Sequence, residues 1–429
     1  MATVKSEWKN KKIALLGFGN ENKSVFSWLI KHGANDITIC DKNEKLNPPV
    51  GGSSSKILIK NQSIISFQLG DDYLKNLNQY DIIFRTPGIP YLSPEIQKAK
   101  KLGVIISSQI KLFFDKCKAK IIGVTGTKGK GTTSSLIFEI LSSNSKLKAQ
   151  SSEIWIGGNI GKAPLDFLDK LTNNDVVLLE LSSFQLQDLN KSPNISVVLD
   201  IQSDHLDHHK DKKEYVGAKL NIVKNQNKSD IVIINQDYLT AFKFALSTKA
   251  EKKYFFSRRD SVDNGAFISW DDRVHTNGKI ILRVDKKDNI ICKVNDVTLR
   301  GEHNLENICG AIIASSVIGA SLKAIKEIVP KFKGLEHRLE FVGKKNNVNY
   351  YNDSIGTTPE ATIAAIKSFK EPIILIVGGS SKGADYSNLT KEIAKSSVKV
   401  VIAIGETGPE IAKNIKNSKI CMGRECLFY

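Results

Sequence analysis

One stretch constrains the fold more than any other: Gly123-Val-Thr-Gly-Thr-Lys-Gly-Lys-Gly-Thr-Thr133, set between the apolar run Lys120–Val124 and an amphipathic segment. A strand that passes through a glycine loop into a helix is a parallel α/β unit, and its loop amides and helix N-terminus face one end of a sheet. Glycines let those amides curl round a phosphate, and Lys130 reaches the β and γ phosphates as a mobile point charge. The loop departs from G-x4-GK-[ST]. Val124 stands at the first glycine and Gly131 follows Lys130, so the Mg²⁺-binding hydroxyl falls to Thr132. ATP held by Gly126, Thr127, Lys128, Gly129, Lys130, Gly131 and Thr132 is the expectation.

The same rhythm of buried strand, glycines and helix recurs on both sides, which predicts three α/β domains along the 429 residues. Residues 1–115 have strands at Ile13–Leu16, Asp36–Cys40 and Asp81–Phe84, a helix over Ser24–His32 and a loop over Asn47–Ser55. Gly17 and Gly19 make a tight turn, and Asp41 ends the next strand where a ribose-binding carboxylate would sit; an ordinary βα turn fits those glycines equally. Residues 116–333 continue through strands at Val176–Leu179 and Ile195–Leu199 and short antiparallel edge strands around Val274–Leu299. A long helix, Asn304–Ile318, follows, and a linker near Pro330–Gly334 closes the domain. Residues 334–429 repeat the pattern with strands at Asn347–Tyr351, Ile373–Val377 and Val398–Ile404.

Composition narrows the function. Apolar residues make up 41% and charged residues 25%, which excludes disordered and fibrous classes. No apolar run approaches a membrane span or a secretory leader. Six cysteines without CxxC or Cys/His spacing suit reduced thiols in a cytoplasm. The net charge of +17 invites nucleic acid, yet the cations are mostly lysines spread along the chain without basic runs, so an anionic phosphate substrate suits the field better.

Beyond the loop come Glu180-Leu-Ser-Ser-Phe-Gln-Leu186, Ser203-Asp-His-Leu-Asp207 and Gly301-Glu-His-Asn-Leu-Glu-Asn307. Gly334-Leu-Glu-His-Arg-Leu-Glu340, Asn352-Asp-Ser-Ile-Gly-Thr-Thr-Pro-Glu-Ala-Thr362 and Gly378-Gly-Ser-Ser-Lys-Gly-Ala-Asp385 follow. In order and spacing these resemble the Mur ligases, and from the phosphate loop onward also the related folylpolyglutamate synthases. The nucleotide-type unit ahead of the loop, with Thr86-Pro87-Gly88-Ile89 similar to a Ser-Pro-Gly-Ile turn, favours the Mur ligases. The resemblance implies a Rossmann-like N-terminal domain, a central P-loop ATPase-type domain and a Rossmann-like ligase domain. It implies an ATP-dependent ligation, through an acyl phosphate, of D-glutamate to UDP-N-acetylmuramoyl-L-alanine by a cytoplasmic monomer needing neither nucleic acid nor membrane. The alternatives are a folylpolyglutamate synthase-like ligase and a non-catalytic nucleotide-binding remnant.

The resemblance also implies roles. Glu180 and Thr132 would bind one Mg²⁺; His205 and a carbamylated Lys219 would bind a second. A lysine carbamate forms on a neutral amine, which burial favours. His208 and His209 are expected at the surface. Asn304 would contact adenine and Asn307 the phosphate side, although N-capping explains both as simply. Arg338 would stabilise the transferring phosphate and Asp353 would hold the ribose. Asn159, Ser182, Gln185, Thr357 and Lys382 would hold substrates, beside Gly17, Gly19, Asp41, Thr86, Pro87 and Gly88. Ile355 replaces a lysine of some members. Relatives continue past Val398–Ile404 with a Ser-Pro-x-x-Ala-Ser-Phe-Asp-type motif that the last residues here do not match. An incomplete third domain with an unpaired sheet edge is therefore expected.

Overall fold

The computed structural model describes residues 7–46, 57–59, 63–145, 149, 151–202, 209–271, 277–381, 383–413, 415 and 419–422. The first sheet has six strands, ordered Ile57–Ile59, Ser63–Leu69, Asp36–Asp41, Lys12–Leu16, Ile82–Arg85 and Ile105–Ser107. All neighbours are parallel except the first pair. Continuous apolar runs such as Ile13–Leu16 are buried throughout because a parallel sheet is covered on both faces. The first helix, Asn20–Lys31, begins four residues before the predicted start, since apolar periodicity marks only the face that packs inward. The loop Asn47–Ser55 lies outside the described residues.

The second sheet has nine strands. Its order is Lys287–Lys293, Gly278–Val284, Gly265–Trp270, Lys252–Ser257, Ile231–Asn235, Ile195–Val198, Lys120–Thr125, Val176–Glu180 and Ile154–Gly158. The short antiparallel edge strands expected around Val274–Leu299 occur as Gly278–Val284 and Lys287–Lys293. The phosphate-loop strand lies between Ile195–Val198 and Val176–Glu180, parallel to both, so Gly126, Glu180 and Asp200 emerge at one end of the sheet. The helix Lys130–Ser143 packs on His303–Ile318 over a core of Leu136, Ile140, Ile308 and Ile312. The Pro330–Gly334 stretch is no free linker. Val329–Lys331 forms a 3-10 turn, and Phe332 is buried in the same core.

One expectation for the third segment changes. Asn347–Tyr351 does not join a parallel sheet; Val348–Asn352 pairs antiparallel with Glu340–Lys345 as a hairpin turning through Asn346 and Asn347, both in left-handed backbone. Asparagine tolerates that conformation better than most residues. Beyond Val398–Ile404, Lys419–Met422 adds a parallel strand, and the sheet ends there among the described residues. One face of this three-stranded sheet carries the cluster of Ile366, Leu389, Ile393, Val401 and Ile411, while Ile374, Ile376 and Ile404 on the strands are exposed.

Candidate functional site

The loop after Lys120–Thr125 turns at Gly129, whose φ is +83°. A Cβ there would lie 2.0 Å from Asn307 Oδ1, so both backbone and packing demand glycine. Lys130 Nζ donates to the carbonyls of Gly126 and Thr127, each at 3.1 Å, and so spans the loop. Thr127 N donates to Asp200 O at 2.6 Å and Thr127 Oγ1 accepts from Gln202 N at 2.8 Å, fastening the loop to the next strand end.

Glu180 is 4% exposed at the end of its strand. Its Oε1 accepts from Asn159 Nδ2 at 3.2 Å; Oε2 is buried and accepts no hydrogen bond. A Cβ on Gly131 would lie 3.1 Å from Oε2, which sets the carboxylate against the first turn of the helix that carries Thr132. A buried carboxylate oxygen without a donor, set against the first turn of the phosphate-loop helix, suits a hard divalent cation. Among the described residues no three His, Cys, Asp or Glu side chains converge. Of the expected ligands only Glu180 is a described residue of those types, and His205 lies outside the described residues.

Lys219 is 1% exposed on the helix Lys212–Lys224. Its Nζ donates to Gly126 O at 2.9 Å and Thr125 Oγ1 at 3.3 Å, and lies 5.0 Å from the ring centre of Tyr215. A lysine that sequence patterning would leave on a helix surface thus points into the phosphate loop. Tyr215, not singled out from the sequence, is buried with its hydroxyl 3.1 Å from Thr127 Oγ1. Its i−4 spacing from Lys219 on one helix face was the available signal. The expectation that His209 lies at the surface is wrong. It is buried, its Nδ1 bonded to the Glu214 carboxylate and its Nε2 2.9 Å from Ser183 Oγ. His208 lies outside the described residues.

Asn304 and Asn307 are not N-caps, because the helix starts at His303. Asn304 Nδ2 donates to Arg300 O at 2.6 Å, and Asn307 Nδ2 donates to Asn304 Oδ1 at 2.9 Å, which turns Asn307 Oδ1 onto Gly129. Between them Glu306 is buried and accepts from Arg258 Nε at 2.7 Å, Tyr238 OH at 3.1 Å and Asn235 Nδ2 at 2.9 Å. Burial raises its pKa, against the pull of Arg258. Asp200 is pushed up to about 6 by burial and by the charge of Glu306, against Lys128 and Gln202.

In the N-terminal sheet the expected residues meet at the strand ends. Asp41 Oδ2 accepts from Phe18 N at 2.6 Å, between Gly17 and Gly19, and a Cβ on Gly17 would lie 2.5 Å from Thr86 Oγ1. Pro87 and Gly88 follow in the same turn, where Ile89 N donates to Thr86 O at 3.1 Å. Ser182 and Gln185 form a reciprocal helix cap, and Gln185 Nε2 also donates to Glu21 Oε1 at 2.8 Å. Arg85 went unmarked in the sequence. Its side chain, 2% exposed, donates to Ile89 O at 2.8 Å and Phe184 O at 3.1 Å and pairs with Asp188 at 3.4 Å.

In the third segment Leu335 packs at Gly131. Asp353 accepts from Leu339 N at 3.0 Å, and burial raises its carboxyl against the pull of that amide and of Arg338. Arg338, Thr357 and Ile355 are exposed, and Lys382 lies outside the described residues.

A phosphate loop flanked by a buried strand-end glutamate and an inward lysine defines a nucleotide-dependent α/β protein. Residues 124–315 match the Mur ligase middle domain, and residues 337–426 match the Mur ligase, glutamate ligase domain. The chain belongs to the Mur ligase family. It is 38% identical over 413 residues to the UDP-N-acetylmuramoylalanine--D-glutamate ligase of Acetivibrio thermocellus, covering 96% of this chain and 84% of that one. The corresponding ligase of Symbiobacterium thermophilum is 36% identical over 418 residues, covering 97% and 87%. Among solved structures, MurF from Acinetobacter baumannii has the same fold, with a TM-score of 0.58 at 16% identity, covering 97% of this chain and 83% of that one. MurC from Thermotoga maritima matches with a TM-score of 0.55 at 18% identity, covering 96% and 90%.

Proposed function

We propose that the chain is an ATP-dependent amide ligase that adds D-glutamate to UDP-N-acetylmuramoyl-L-alanine in peptidoglycan precursor synthesis. The observation that carries this is the convergence of Lys130, the unpartnered Glu180 Oε2 and the buried Lys219 on one phosphate loop, in a chain 38% identical to a ligase of that name. A carboxylate is a poor electrophile. In the reaction the substrate carboxylate attacks the ATP γ-phosphorus and ADP leaves; the amine of D-glutamate then attacks the acyl phosphate and inorganic phosphate leaves. Positioning and charge neutralisation supply most of the acceleration in such transfers.

The chain's own residues divide that work. Residues 1–115 bind the uridine nucleotide where Gly17, Gly19, Asp41, Thr86, Pro87 and Gly88 converge. Residues 116–333 bind ATP, with Lys130 on the β and γ phosphates and Asn304 and Asn307 on the nucleoside and phosphate sides. Glu180, Thr132, His205 and Lys219, the last as a carbamate, would hold Mg²⁺, which neutralises developing phosphate charge when bound. Asn159 orients the substrate carboxylate. Residues 334–429 bring Arg338 to the transferring phosphate, Asp353 to the ribose, and Thr357 and Lys382 to glutamate. The protein acts as a cytoplasmic monomer; among the described residues no helix is long and apolar enough to cross a membrane.

A coupled assay for ADP release tests the proposal. Release should require UDP-N-acetylmuramoyl-L-alanine and D-glutamate together, with Mg²⁺. Release that needs a folate and L-glutamate instead would point to the folylpolyglutamate-type reaction, and nucleotide binding without release would point to a non-catalytic protein.

A further inference from the structure

His209 has no part in the chemistry set out above, yet it is fully enclosed. Its Nδ1 donates to the Glu214 carboxylate, which accepts a second bond from Gln187 Nε2 at 2.7 Å. Its Nε2 lies 2.9 Å from Ser183 Oγ. Phe184 stacks on the imidazole with centroids 5.0 Å apart and planes 7° from parallel, and Tyr215 meets it edge-on at 5.2 Å. The constellation resembles a Ser-His-Glu triad. Ser183 is itself buried at 2% exposure, so no substrate reaches that hydroxyl and nucleophilic catalysis is excluded.

What the imidazole does is join two elements. Ser183 stands three residues after Glu180, in the turn that leaves its strand; Glu214 stands five residues before Lys219, in the first turn of its helix. We propose that His209 is a positioning residue: by bridging Ser183 and Glu214 it sets the spacing between the strand end that carries Glu180 and the helix that carries Lys219. It thereby tunes Mg²⁺ affinity without touching substrate or nucleotide. This rests on the reading of Glu180 and Lys219 as metal-binding groups. Groups one bond removed from a metal site commonly change its affinity by about 10–100-fold when lost.

The test is calorimetric, with Mg²⁺ titrated into the full chain held with ADP. His209→Phe keeps an aromatic ring against Phe184 but loses both polar bonds; Ser183→Ala removes one of them with little change in volume. Each should raise the half-saturating Mg²⁺ concentration about tenfold while ADP affinity without Mg²⁺ stays as in the parent. The double variant should be no worse than His209→Phe alone, because both changes break one bridge. His209→Gln, whose amide oxygen can still accept from Ser183, should recover part of the loss. A lowered melting temperature in either variant with unchanged Mg²⁺ titration would overturn the proposal and leave His209 a fold-only residue, and Ser183→Ala decides this even if His209→Phe does not fold. If the parent shows no Mg²⁺ dependence and Glu180→Gln changes nothing, the metal reading itself fails, and the role of His209 falls with it.

Discussion

Burial decides what a single side chain can do here. Lys219 among exposed lysines would be inert, but enclosed beside Thr125 and Gly126 it faces the phosphate loop. Lys219→Ala should cut turnover by orders of magnitude and leave ATP affinity nearly unchanged, since Lys130 and Thr132 remain. Added acetate should restore part of the rate by filling the vacated carboxylate position. Steady-state kinetics with and without acetate checks this, and full activity in the variant would remove the carbamate from the proposal. Asp200, pushed up to about 6 by burial first and Glu306 second, gives a pH prediction. Its folded carboxyl holds a proton that the unfolded chain has already released, so its stabilising contribution is present below about pH 4. That contribution is lost as pH rises through about 6. Asp200→Asn should therefore be more stable than the parent by about 1 kcal/mol at neutral pH, discounted because the group keeps solvent contact. In thermal melts the gap should close as pH falls toward 4, and a gap independent of pH would contradict the assignment.

At the scale of the element, the phosphate loop is set by backbone shape as much as by charge. Gly129 combines a φ of +83° with a side chain, Asn307, already where a Cβ would go. Gly129→Ala incurs the left-handed penalty of about 1–2 kcal/mol and must also displace Asn307. Nucleotide affinity should fall with the fold retained, measured by ADP titration against the melting temperature. The short helix Ser183–Leu186 makes the opposite point. Ser182 and Gln185 close a capping box, and that explains both residues without any substrate. Ser182→Ala should lower stability by about 1 kcal/mol through the lost cap. If Ser182 also binds substrate, KM for the uridine nucleotide should rise in the same variant; an unchanged KM would leave it a cap alone.

For the whole molecule, part-buried polar bridges join the N-terminal domain to the domain of the nine-stranded sheet. Arg85 reaches across to Phe184 O and Asp188, Gln185 bonds Glu21, and Trp28 Nε1 donates to Asp169 Oδ1 at 3.1 Å. Arg85 also holds the carbonyls of Thr86 and Ile89, so one guanidinium orients the turn proposed for the uridine nucleotide against the Glu180 segment. Arg85→Met leaves the Asp188 carboxylate, 3% exposed, with only the longer contact to Lys111 at 3.6 Å among the described residues. Breaking such a pair costs about 3–5 kcal/mol. Denaturant unfolding should show that loss, and Arg85→Met combined with Asp188→Asn should be more stable than Arg85→Met alone.

The α/β class, the phosphate loop and the strand-end glutamate were legible in the sequence, because these depend on apolar runs, glycines and residues adjacent along the chain. The sequence also marked an antiparallel edge around Val274–Leu299, where alternation replaces continuous apolar burial. Strands such as Ile154–Gly158 and Ile231–Asn235 were not marked, since short apolar runs carry no period that separates strand from helix. It took tertiary packing to make His209 and Arg85 interior, to turn Asn307 onto Gly129 and bond Asn304 to Arg300 O instead of leaving either as a helix cap, and to fold Val348–Asn352 into a hairpin. The buried polar groups turn on partners distant in sequence: Ser183 for His209, Asp188 for Arg85, Gly129 for Asn307. Local propensity says nothing about which distant residue will desolvate a polar group and bond it, and that pairing is what makes a buried histidine or arginine tolerable.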